Sequence, residues 1–212
     1  PEPSTMACYA RRPLAAAAAG IPYALFANGV GPLRSPAAQR TVASLASLAS
    51  AVSVRDSSSA EVLRAGGYAG PLMLAADPAF AIVPVAESLP PRRRSIRIGV
   101  VPRVWRHSVN ASGLLHAVGH GVGSVARARQ AEVVLLRFKR AVRATDEDDD
   151  MAIYRVAESL LLEPDAIHIV DPSTPDAAAG WLGSCDAVVT MRLHGAILSA
   201  VAGVPSVGVA VG

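Results

Sequence analysis

Two cysteines, Cys8 and Cys185, are all the thiols that the 212 residues contain. A pair so far apart supports neither a disulfide framework nor a thiolate metal site, so both read as small buried side chains. Aromatic residues make up only 4% of the chain, and the basic residues behind its net charge of +3 are dispersed. Nucleic-acid binding wants a basic face interleaved with stacking rings, and neither is visible. No apolar run is long enough to cross a bilayer; the alanine-rich stretch from Pro13 to Gly20 is too short, and no secretory leader is evident. With 51% hydrophobic residues the chain can bury a large core, and it reads as a soluble protein.

What is present is an alternation of short apolar strands and helices. In the first half, Leu14 to Gly20 reads as the tail of a helix, Pro22 to Ala27 as a strand and Ser35 to Ser50 as an amphipathic helix. Ala51 to Val54, Ser57 to Ala65 and Leu72 to Ala75 continue as strand, helix and strand. Val83 to Ser95, VPVAESLPPRRRS, then loses all hydrophobic period. Its prolines and three arginines predict an extended, solvated hinge. The alternation restarts with a strand from Ile96 to Val101 and a helix region from Val109 to Gln130 that glycines 119, 121 and 123 threaten to break. Strands follow at Val133 to Phe138, Ala166 to Val170 and Asp186 to Val189, with helices at Asp146 to Leu162 and Thr174 to Ser184 between them. The fold class is therefore α/β, with two Rossmann-like parallel-sheet domains. Residues 1–83 form the first, 84–95 the linker and 96–212 the second. The chain opens without an initiator methionine and stops after a predicted core strand, so both ends read as cut and the first domain as incomplete.

The chemistry concentrates in VVTMRLHGAILSAVAGVPSVGVAVG, Val188 to Gly212, where charged groups interrupt an apolar setting. Val188 and Val189 end a strand, Thr190 reads as an N-cap, Gly195 to Ala202 as a helix and Val204 to Val211 as the last strand. Arg192 and His194 thus fall at a strand-to-helix turn on the C-terminal edge of a parallel sheet, where open sheets bind ligands. A helix N-terminus favours an anion, arginine adds a bidentate cation and histidine titrates near neutral pH. The competing reading pairs Arg192 with a local carboxylate. The two side chains can share a ligand only if the turn between them is not yet helical, because residues two apart on a helix diverge. Arg103, after the strand of GVVPRVWRHS, lies on the same edge and can converge on the same anion; alternatively Arg103 or Arg106 covers Trp105.

Other polar groups carry weaker signals. Asn28, Gly29, Val30, Gly31 and Pro32 form a turn whose glycines permit close approach of a ligand or a neighbouring element. Arg55, Asp56 and Asp77 lie just past strand ends; Asp56 suits a helix cap, Asp77 suits the turn before Pro78, and Arg55 stays open. The run Asp146 to Asp150 matches no calcium loop and is stabilised by a helix dipole without an ion, so no metal site is expected. His107, His116, His120 and His168 have no motif context.

Taken together, IPYALFANGVGPL, AVSVRDSSSAEVLRAGG, ADPAF, RIGVVPRVW and CDAVVTMRLHGAILSAVAGVPSVGV resemble the polysaccharide pyruvyl transferase family, in particular its bacterial cell-wall polymer branch. The resemblance spans nearly the whole chain. It implies an enzyme similar in fold to GT-B glycosyltransferases that transfers the pyruvyl group of phosphoenolpyruvate to two sugar hydroxyls, forming a cyclic ketal and releasing phosphate. It also implies Arg192, His194 and Arg103 as catalytic residues at the donor site, with Leu193 contributing its amide. Arg55, Asn28, Gly29 and Gly31, just past the strand ends of the first half, are the further candidates for binding substrate. Phosphoenolpyruvate is then a co-substrate, with no cofactor and no metal. The acceptor is a sugar or polysaccharide precursor, free or lipid-linked, and the location is the cytoplasm or the inner face of the membrane. Arg137, in VVLLRFKR, stands where that family leads one to expect proline. A nucleotide-sugar glycosyltransferase and a non-catalytic domain that binds anionic glycans are the alternatives, since fold alone does not decide among them.

Overall fold

The computed structural model describes residues 3–33, 35–85, 91–104, 110–139 and 149–210, with residues 3–8 as backbone only. Trp105, Arg106, His107, Asp146 to Asp148 and the middle of the expected hinge lie outside them. Two compact units are present, Pro1–Pro78 and Ala79–Gly212.

In the first unit, helix α1 (Pro3–Ala18) leads to strand β1 (Ala24–Asn28), helix α2 (Pro36–Leu48), strand β2 (Ala51–Val54), helix α3 (Ser57–Ala65) and strand β3 (Met73–Leu74). Ser35 and Pro36 open α2 as their chemistry dictates, since proline fixes the first helical φ and has no N–H to leave unpaired. The three strands are parallel in the order β1, β2, β3. Val52, Val54, Leu63, Ala43, Ala46 and Tyr68 close the core between the sheet and its helices.

The second unit runs β4 (Arg97–Val101), α4 (Ala111–Arg129), β5 (Glu132–Leu136), α5 (Asp150–Leu160), β6 (Ile167–Val170), α6 (Pro175–Gly183), β7 (Ala187–Thr190), α7 (Leu193–Val201) and β8 (Ser206–Gly208). Its five strands are parallel, as the alternation of apolar runs and helices implies, and lie in the order β6, β5, β4, β7, β8. β4 and β5 are buried along their whole length because helices cover both faces. Ile98, Val100, Val133 and Leu135 pack against α4 and α5, while Val101, Val134 and Leu136 pack against α6 and α7. Arg92, expected in water, donates to Asp186 at 3.0 Å although it remains half-exposed. The backbone N–H of Val85 donates to the Asp176 carbonyl at 3.1 Å. Among the described residues no helix is long and apolar enough to cross a membrane.

Two expectations are corrected here. The acidic helix begins at Asp150 rather than Asp146. The glycines of α4 do not break it: they are contact points, where the missing side chains let α5 approach. A Cβ on Gly119 would stand 2.5 Å from the Ser159 Cβ and 2.7 Å from the Val156 carbonyl oxygen, and one on Gly123 would overlap the Leu160 carbonyl. Gly123→Ala gains about 1 kcal/mol of helix propensity but overpacks the contact by about 1–3 kcal/mol. A net loss of stability, read as a lowered Tm in thermal denaturation, is expected.

At the N-terminal edge of this sheet the central strand β4 and its neighbour β5 begin on opposite charges. Arg97 Nε donates to Glu132 Oε1 at 2.6 Å, with side-chain exposures of 1% and 0%. His168 Nε2 lies 3.3 Å from the other Glu132 oxygen, which also accepts the N–H of Arg93 at 3.2 Å. Burial alone would raise the Glu132 carboxyl, but the hydrogen bonds from Arg97 and the Arg93 backbone hold it below the usual carboxylate range. Cys185 is buried as expected, and burial pushes its thiol up to about 11, which makes it a poor nucleophile.

Candidate functional site

In a sheet of this strand order the chain reverses direction of growth between β4 and β7, and loops leaving those strands diverge to leave a crevice. Val101 is in register with Thr190 across that pair, and the Met191 N–H donates to the Val101 carbonyl at 2.9 Å. Arg103 and Arg192 each follow two residues beyond the matched pair. The backbone therefore brings the two arginines out side by side, on the edge where the sequence puts them.

Thr190 is not the cap of α7, a correction to the sequence reading. Its hydroxyl accepts the N–H of Arg192 at 3.1 Å and donates to the Arg192 carbonyl at 2.9 Å, so it folds the turn ahead of the helix. Arg192 takes the cap position with extended backbone, φ −124° and ψ 136°. The turn between Arg192 and His194 is thus not yet helical at Arg192, the condition for both to face one ligand. Gly195 sits in the first turn of α7, where a Cβ would overlap the Thr190 hydroxyl and lie 3.3 Å from the Val101 Cβ. Only glycine lets the helix seat this low on the strand ends. Arg192 gives α7 no side-chain cap, so its first N–H groups keep their capacity for an anion. Leu193 and His194, its first two residues, are exposed.

The Arg192 side chain is 15% exposed and its Nη2 pairs with Oδ1 of Asp149, whose side chain is 1% exposed. The competing reading of the sequence is therefore right that Arg192 has a carboxylate partner, but that partner is 43 residues away rather than local. The Nε of Arg192 is buried and has no acceptor among the described residues. Asp149 is the residue of this site that sequence reasoning missed: it lies in an acidic run whose composition accounts for itself as a helix start. Arg137, just past β5, pairs with Asp150 and lies 3.7 Å from Asp171 past β6. Its position at a strand end was the available signal. Among the described residues, no three His, Cys, Asp or Glu side chains gather as a metal site would need.

The first unit carries a second polar surface at its own C-terminal strand edge. Gly29, Val30, Gly31 and Pro32 of the turn after β1, together with Arg55, Asp56, Ser58 and Ser59, line a pocket of about 210 Å³. Asp56 caps α3 as expected, accepting the Ser59 N–H at 2.7 Å, and the bonds from Ser59 hold its carboxyl below the usual range. The Ser59 hydroxyl in turn accepts the Val30 N–H at 2.8 Å, which ties the turn to the helix. Arg55 donates to Asp77 at 2.8 Å and lies 3.6 Å from Asp56. Asp77 therefore does more than shape the turn before Pro78. The Arg55 guanidinium lies so close over Gly29 that any side chain there would displace it. Asn28 is exposed at the end of β1, and its carbonyl accepts the Arg55 N–H at 3.3 Å.

The sequence profile of the family described as Polysaccharide pyruvyl transferase matches residues 3–212. No curated protein matches the chain.

Proposed function

Since the chain belongs to the polysaccharide pyruvyl transferase family, we propose that it transfers the pyruvyl group of phosphoenolpyruvate to two hydroxyls of a sugar in a cell-wall or exopolysaccharide precursor. The observation that supports this most is the exit of Arg103 and Arg192 from neighbouring, register-matched strands beside the uncapped start of α7. Phosphoenolpyruvate carries a carboxylate and a phosphate on three carbons, and such a compound needs several fixed donors converging from one side. Arg103, Arg192 and the Leu193 amide hold it in this reading.

The chemistry follows from the donor's structure. His194 delivers a proton to C3, which makes C2 electrophilic, and one sugar hydroxyl adds to C2. The second hydroxyl then displaces phosphate from C2 and closes the ketal, so one phosphate leaves for each ring formed. Arg192 and Arg103 stabilise the charge that gathers on the departing phosphate. His194 is exposed in the first turn of α7, within the range of a ligand seated on that helix start.

The pocket of the first unit suits the other substrate. Arg55 has its charge answered by Asp77 and Asp56, and α3 is already capped, so little there favours an anion. Carboxylate, guanidinium and serine hydroxyls suit a neutral polyhydroxylated ring, so Arg55, Asn28, Gly29 and Gly31 bind the sugar acceptor. On this reading the two units correspond to the two Rossmann-like halves of a GT-B-like enzyme, working in the cytoplasm or at the inner face of the membrane on a free or lipid-linked precursor. No cofactor or metal enters the scheme.

Incubation of the full-length protein with phosphoenolpyruvate and a β-linked amino-sugar acceptor tests the proposal. Stoichiometric phosphate release with loss of the donor's vinyl protons is expected. Uridine diphosphate release from a nucleotide sugar would instead make it a glycosyltransferase, and glycan binding with neither product a binding domain.

A further inference from the structure

Asp149 sits at the N-cap of α5, where an aspartate ordinarily accepts an N–H from its own helix. Here it makes no such bond. Its Oδ2 instead accepts the N–H groups of Phe138 at 2.9 Å and Lys139 at 2.7 Å, in the segment leaving β5, and its Oδ1 takes Nη2 of Arg192. Its own N–H donates to the Lys139 carbonyl at 3.1 Å, closing the attachment. A carboxylate so held, its own side chain 1% exposed, is a fixed object: it cannot turn without giving up two backbone hydrogen bonds.

Arginine is the opposite, a long side chain that loses much rotamer freedom when it is localised. A free Arg192 would have to be ordered by each incoming anion, and that ordering would weaken binding. The ion pair does the ordering beforehand and uses one edge of the fork. A guanidinium has five N–H donors, so the pairing leaves others, among them the buried Nε that has no acceptor among the described residues.

From these contacts we infer that Asp149 is a positioning residue, which sets the direction of the Arg192 guanidinium so that its remaining donors meet the anionic donor substrate. The inference rests on the donor site proposed above. Asp149 itself touches no reacting atom; it acts through Arg192, and it links the exit of β5 to the start of α7.

Asp149→Asn is the informative variant. Its amide oxygen can still accept from Phe138 and Lys139, while its NH₂ confronts the arginine's donors and releases them. Calorimetric titration of the full chain with phosphoenolpyruvate is expected to show affinity weakened by roughly 10- to 100-fold, with a crystal structure of the variant showing the Arg192 guanidinium moved. In turnover, the KM for phosphoenolpyruvate should rise by more than kcat falls, a split that general loosening of the fold would not give. Affinity within twofold of the parent, with Arg192 in its original place, would overturn the inference. Failure of the parent protein to bind phosphoenolpyruvate at all would overturn the proposed function instead, and the position of Arg192 in the variant structure would still decide the role of Asp149. Should Asp149→Asn not fold, Asp149→Glu keeps the charge and pushes the fork outward by one methylene, and the same shift in affinity is expected.

Discussion

Arg192→Lys is expected to lower kcat/KM for phosphoenolpyruvate by roughly 100-fold, and Arg192→Ala by roughly 1000-fold or more, equivalent to about 3 and 4 kcal/mol of transition-state binding. The lysine variant keeps the charge but loses the planar fork, so it separates directed hydrogen bonding from mere electrostatic attraction. The alanine variant removes both and leaves Asp149 buried without its cation. For that reason the comparison has to be made on protein whose circular dichroism and melting are those of a folded chain. Phosphate release at varied phosphoenolpyruvate is the measurement. If both variants work within threefold of the parent, Arg192 is not at the donor.

The largest effect on stability is expected from Glu132→Ala. Arg97, whose side chain is 1% exposed, would lose the carboxylate that accepts its Nε, and breaking a buried pair in this way costs about 3–5 kcal/mol. That is a large part of the about 5–15 kcal/mol that folded domains possess. For a chain of this length it corresponds to a fall in Tm of roughly 6–20 °C. The pH dependence has a definite sign. The folded carboxyl lies below its unfolded value of about 4.3, so its contribution is complete above that pH and is lost as the pH falls through the folded pKa. The difference in Tm between the parent and Glu132→Gln is therefore expected to be widest near neutrality and to narrow in acid. A gap that stays constant down to pH 3 would show that the charge of Glu132 is not what stabilises the pair.

The sequence reveals local features and conceals distant ones, and the individual residues show why. The apolar runs of β4, β5 and β7 carry their own pattern, and so does the cap of α3 by Asp56, because each depends on neighbours within a few positions. Arg103 and Arg192 could be assigned to one edge because parallel strands joined by helices all end on the same side. Asp149 could not be paired with Arg192, nor Glu132 with Arg97, since nothing short-range records a partner 43 or 35 residues away. The two misread local signals have a common cause. Thr190 is a good capping residue and glycines are poor helix formers, yet tertiary contacts decide both: the threonine hydroxyl is engaged by the Arg192 backbone, and the glycines of α4 are where α5 presses closest.

The opposite charges that open β4 and β5 also police alignment. Both faces of these strands are apolar, so hydrophobic patterning alone tolerates a slip; a shift of one position would instead part a buried guanidinium from its carboxylate. The native register keeps the two charges together. Arg97 holds the other side of β4 as well: its N–H donates to Asp186 Oδ2 at 2.8 Å and its carbonyl accepts the Asp186 N–H at 2.8 Å, so the same residue helps fix the β4–β7 register that sets Arg103 beside Arg192.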